Sequence, residues 1–69
     1  MNKTPRVWLL KIRAEADKTQ ENVAEASGIS REYYTRIENG DHNVPVHTAK
    51  KIAEALGFDW TKFYEEEQK

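Results

Sequence analysis

The stretch Gln20–Gly40, QENVAEASGISREYYTRIENG, constrains the fold more than any other part of the chain. Val23, Ala24 and Ala26 form a small apolar face at helical spacing, and Ser27-Gly28 then interrupts it. Glycine reaches positive φ at no steric cost, so Gly28 predicts a tight turn rather than a continued helix. Ile29 is an apolar plug at that turn, and Ser30 is the N-cap of a following helix that Gly40 stops. The stretch therefore reads as two short helices joined by a turn. On a 100° wheel the second helix turns Tyr34 and Ile37 inward and Glu32, Thr35, Arg36 and Asn39 outward, with Tyr33 on the flank and Arg31 at the N-terminal end.

The flanking segments supply more helices. Thr4-Pro5 is a start signal, a capping hydroxyl followed by proline at the first helical position, and predicts a helix to about Ala16. Leu9 and Ile12 are its core residues, while Trp8 and Leu10 widen the stripe. Asp17-Lys18 ends it, because Asp tolerates left-handed dihedrals. Thr19 caps the next helix, with Asn22 three residues on. A fourth helix runs from about His47 to Leu56, with Ala49, Ile52, Ala53 and Leu56 at core spacing, and Gly57 ends it. Asp59 caps a short fifth helix through Trp60, Phe63 and Tyr64. No strand-length alternation occurs, so the expected fold is all-α, five helices with short connections.

Sixty-nine residues make one small domain, and with no cysteine neither disulfides nor thiolate metal sites can brace it. Packing must carry the stability, and the absence of cysteine fits a reducing cytoplasm. No apolar run approaches the ~20 residues of a membrane span. The net charge of −1 is not the basic footprint of a nucleic-acid binder. Part of it lies in residues 65–69, EEEQK; without them the chain has ten Lys/Arg against nine Asp/Glu.

The combination of Ile12-Arg13, Thr19-Gln20-Glu21, Val23-Ala24-Glu25, Ser27-Gly28-Ile29-Ser30, Ile37-Glu38-Asn39-Gly40 and AKKIAEALG over 49–57 resembles the helix-turn-helix domain of the lambda repressor and Cro type, the xenobiotic-response-element family. The resemblance covers residues 9–64, with the motif at 20–39 and flexible ends at 1–4 and 65–69. It implies a five-helix lambda-repressor-like DNA-binding domain with helices two and three as the helix-turn-helix. It also implies a sequence-specific transcription regulator, of phage or mobile-element kind, that represses as a homodimer on operator half-sites.

By that resemblance Arg31, Glu32 and Arg36 fall where bases are read. Arginine can donate a fork to guanine O6 and N7, and Glu32 can accept from cytosine N4. The competing reading of Arg31 and Glu32 is a solvated, dipole-compatible helix start. Thr19, Gln20, Tyr33, Asn39, His42 and Asn43 are the backbone or flanking contacts, Gln20 because the start of a helix favours an anion. Arg13 and Glu38 pair as a structural ion bridge in this family. Asp41 and Val44 depart from it, since Lys or Arg and Pro are usual there, as does Lys18, where an apolar residue is usual. Trp60, Phe63 and Tyr64 are candidates for the dimer interface, with Trp8 or Leu10 as second choice; the competing reading is that all these aromatics complete a small core.

No catalytic constellation is legible. His42 and His47 stand alone, and no Ser-His-acid set, glycine-rich phosphate loop or carboxylate pair occurs at useful spacing. The expectation is a non-enzyme with no cofactor, no metal, no small-molecule effector and no membrane association, whose partner is double-stranded operator DNA. The rival is a protein-interaction module, antitoxin-like or antirepressor-binding, that kept the fold with little DNA binding; the near-neutral charge and Asp41 favour it.

Overall fold

The computed structural model describes residues 4–40 and 43–65, and among these it is entirely helical. The helices are α1 (Val7–Glu15), α2 (Gln20–Ser27), α3 (Arg31–Glu38), α4 (Val46–Leu56) and α5 (Lys62–Glu65). This is the all-α, five-helix architecture expected from the sequence.

Four starts and stops follow their local chemistry. Thr19 caps α2 through a complete capping box: its hydroxyl accepts from the Asn22 N–H at 3.0 Å, and the Asn22 side chain accepts from the Thr19 N–H at 3.1 Å. Gly28 closes α2 at φ 72°, and Asp17 breaks the chain after α1 at φ 61°. Ser30 caps α3 by accepting from the Tyr33 N–H at 3.1 Å.

The start of α1 differs from expectation. The helix begins at Val7 with Arg6 at the cap and no side-chain cap bond, so Thr4 does not open it. Long-range bonding wins over the local signal: the Arg6 N–H donates to the Glu38 carbonyl at 2.8 Å, which holds residues 4–6 against the end of α3.

The core gathers Leu9, Val23, Ala24, Tyr34, Ile37, Val44, Ala49, Ile52 and Phe63. Helix α2 packs most extensively on α4 and next on α3, and α1 leans on α3. Alanines and Ser27 keep the α2–α4 approach close. Ala26 is exposed rather than inward, and Ser27 takes the buried place, because the short helix turns its last residue to the core. Ile12 is only half-buried and Leu10 is exposed, so Leu9 is the one residue of α1 that is fully enclosed. Trp8 meets Phe58 and Phe63 edge-on, with centroids 5.5 Å and 5.1 Å apart. That cluster joins α1 to α5 and to the turn before it, and such pairs add about 0.5–1.5 kcal/mol beyond area burial.

Candidate nucleic-acid interface

Glu38 is the centre of the structure beneath the helix-turn-helix. Its carboxylate accepts from Arg13 Nε at 2.6 Å, from Tyr34 Oη at 2.8 Å and from Gln20 Nε2 at 2.9 Å. Arg13 also donates to the Lys18 carbonyl at 2.9 Å, so one guanidinium ties together α1, the loop after it and α3. Gln20 completes the set by accepting from the Thr35 hydroxyl at 3.1 Å. Burial pushes the Glu38 carboxyl up, and the bonds from Arg13, Gln20 and Tyr34 outweigh it and hold the group below its ordinary value. The Glu38 hydrogen bond raises Arg13, while burial and the same carboxylate raise Tyr34. The three groups are thereby kept as carboxylate, guanidinium and neutral phenol.

This network corrects parts of the sequence reading. Thr35 does not point away from the domain; it faces α2 and holds Gln20. The Tyr34 hydroxyl turns inward to Glu38. Most important, both ends of the Gln20 carboxamide have protein partners, so the side chain is occupied in joining α2 to α3. The donors left for an anion at the head of α2 are its first backbone N–H groups and the second hydrogen of Gln20 Nε2. These partners are distant in the chain, so the sequence, which offers Gln20 as a backbone contact, carries no local sign of them.

The outward face of α3 is different in kind. Arg31, Glu32 and Arg36 are exposed, and their side chains make no hydrogen bond or ion pair with any described residue. Arg31 also lines a polar cleft with Arg13, Lys18, Thr19, Gln20 and Glu21, where the heads of α2 and α3 come close. Tyr33 is half-buried against the core at the edge of this face, and Asn39 is exposed at its far end as the C-cap of α3. Asn43 is exposed beyond it, whereas Asp41 and His42 lie outside the described residues. Two arginine forks, a carboxylate and two helix heads on one surface can donate to phosphates and base edges and accept from cytosine.

Among the aromatics named as interface candidates, Phe63 is removed by its position: it is 0% exposed in the core, beneath the Arg6 guanidinium and Trp8. Tyr64 is half-buried and donates its hydroxyl to the Val44 carbonyl. Trp60 is half-buried against Tyr64, with the Lys50 ammonium 5.2 Å from its ring centre. Val44 fills the core and anchors α5 through that carbonyl.

The family model described as helix-turn-helix (HTH_3) matches residues 9–63. The chain belongs to this helix-turn-helix family. Its fold is that of lambda repressor and Cro-type regulators. This helix-turn-helix protein is 56% identical over 61 residues to the uncharacterized HTH-type transcriptional regulator YqaF of Bacillus subtilis (strain 168), covering 88% of the chain and 80% of that protein. It is 36% identical over 62 residues to the control protein C.MunI of a Mycoplasma species, covering 88% of the chain and 84% of the relative. Among solved structures it resembles the restriction-modification controller protein C.AhdI from Aeromonas hydrophila, with a TM-score of 0.73, 31% identity and coverage of 80% and 83% of the two chains. These relatives are named as regulators, not enzymes. Among the described residues no group of three His, Cys, Asp or Glu could hold a metal ion, and no helix is long and apolar enough to cross a membrane.

Proposed function

We propose that the protein is a sequence-specific transcription repressor that binds double-stranded operator DNA as a homodimer. The observation that carries this is the division of α3: Tyr34, Ile37 and Glu38 are buried, while Arg31, Glu32 and Arg36 stand outward without an internal partner among the described residues. Arg31, Glu32 and Arg36 read bases in the major groove. The N–H groups at the head of α2, with Thr19, Gln20, Tyr33, Asn39, His42 and Asn43, meet the backbone; Gln20, held by Glu38 and Thr35, contributes its main-chain N–H and the second hydrogen of Nε2.

Size supports the homodimer. Half-sites one helical turn apart are separated by about 34 Å. The longest extent of the described chain is 29 Å, so one copy does not reach both. Trp60 and Tyr64, at the margin of the core, are the residues proposed for the contact, with exposed Leu10 as second choice. Repression is by occlusion, and control comes from protein abundance or a partner rather than a small effector.

Selection of duplexes from a random pool, followed by titration across salt, tests the proposal. A regulator enriches a palindromic motif and shows a negative slope of log affinity against log salt. Arg36→Ala should relax preference at one base position at a cost of about 1–3 kcal/mol. The net charge of −1 favours a second reading, a protein-interaction module with little DNA binding. Absence of both an enriched motif and low-salt binding would select it.

A further inference from the structure

The geometry points to Arg6 as a positioning residue for the DNA-reading end of α3, a clamp supplied from outside the helix-turn-helix. The inference rests on the proposal that Arg36 reads a base.

Helix α3 has eight residues, too few to be stable by itself, and its last carbonyls have no partner within the helix. Arg6 supplies a partner for two of them, those of Ile37 and Glu38, of which Ile37 also accepts from the Gly40 N–H at 3.1 Å. Its backbone N–H donates to the Glu38 carbonyl at 2.8 Å, and its guanidinium donates to the Ile37 carbonyl at 2.7 Å. A cation at a helix C-terminus is also favoured by the helix dipole. The same guanidinium lies over the Phe63 ring, 5.7 Å from its centre, which extends the clamp to α5. The Arg6 carbonyl accepts from the N–H groups of Leu9 and Leu10 and so opens α1. One residue therefore closes the reading helix, starts the first helix and rests on the last.

Burial separates this arginine from those of the reading face. Arg6 is 7% exposed, so it is withdrawn from any phosphate, while Arg36 is exposed immediately before the two residues whose carbonyls are clamped. A second contact keeps the segment in place: a methyl group added at Gly40 would overlap the backbone carbonyl of Thr4. The N-terminal segment thus lies directly on the end of α3. Its release would free the last turn, which carries Arg36 and Asn39, but not the Ser30-capped first turn that carries Arg31 and Glu32.

Arg6→Met removes the guanidinium while keeping the stem and the backbone bonds. In full-length protein, with duplexes selected by the wild type, base preference should fall roughly tenfold at the position read by Arg36 and stay intact at those read by Arg31 and Glu32. The salt slope should not change, because no phosphate contact is lost. Arg6→Lys, which keeps a cationic donor, should restore part of the preference. A merely structural role would weaken all positions evenly; that result, or an unchanged profile, overturns the clamp. A slope shallower by about one would make Arg6 a phosphate contact instead. If Arg6→Met does not fold, the Arg6→Lys profile decides by the same criteria. Amide exchange tests the clamp without DNA: the Asn39 and Gly40 amides should exchange faster in the variant than in wild type, with Ile52 and Ala53 unchanged. A wild type that enriches no motif would overturn the regulator reading; a wild type that does, beside a variant with unchanged profile and exchange, would overturn only the clamp.

Discussion

Glu38 shows how much one side chain can hold. It is 4% exposed and receives Arg13, Gln20 and Tyr34 at once. Glu38→Ala would leave a guanidinium and a buried phenol without their acceptor, and should cost about 3–5 kcal/mol in denaturant unfolding. The pH dependence has a definite sign. Because the folded-state carboxyl lies below its ordinary value of 4.5, its contribution is present in full above that pH and is lost as pH falls through the folded value. Glu38→Gln should therefore flatten the acid limb of stability below about pH 4.5 relative to wild type, measured by urea titration at each pH. Ser27 is the opposite case. Its hydroxyl is buried and finds no hydrogen-bond partner among the described residues, so Ser27→Ala removes a desolvation penalty without opening space. The variant should be more stable by about 1 kcal/mol, read as a rise in Tm.

At the scale of elements, the α2–α3 turn and the end of α3 use glycine for different reasons. Gly28 sits at φ 72° with open space where a Cβ would lie, so the objection to a side chain is conformational alone. Gly28→Ala should cost about 1–2 kcal/mol and leave the fold intact by circular dichroism. Gly40 adds a packing constraint, since the Thr4 backbone occupies the space a side chain needs. The helix-turn-helix is thus held from two sides: Glu38 locks α2, α3 and α1 from within, and the 4–6 segment closes α3 from its C-terminal end.

For the whole molecule, size governs how DNA is engaged. In the proposed dimer, a 29 Å body with one reading helix meets one half-site. Two copies per palindromic duplex are expected by sedimentation, and one copy on a duplex cut to a single half-site. Moving the half-sites apart by five base pairs, half a helical turn, should abolish paired binding, because the second site then faces away.

Much of this was readable residue by residue. Thr19, Ser30, Gly28 and Asp17 act within three or four positions of themselves, so their caps and turns are written in local sequence. Spacing likewise placed Leu9, Val23, Tyr34, Ile37, Ala49 and Ile52 inward, and motif resemblance brought Arg13 to Glu38. What only tertiary structure decided involves partners distant in the chain. Arg6 finds Ile37, Gln20 finds Glu38 and Thr35, and Tyr64 finds Val44, and none of these pairs has a periodic signature. A polar side chain looks the same in sequence whether it faces solvent or a buried carbonyl. The start of α1 and the burial of Phe63 belong to this group, because each depends on where another helix ends. Local chemistry set the helices and the outward face of α3; the distant hydrogen bonds set the angle at which that face is held.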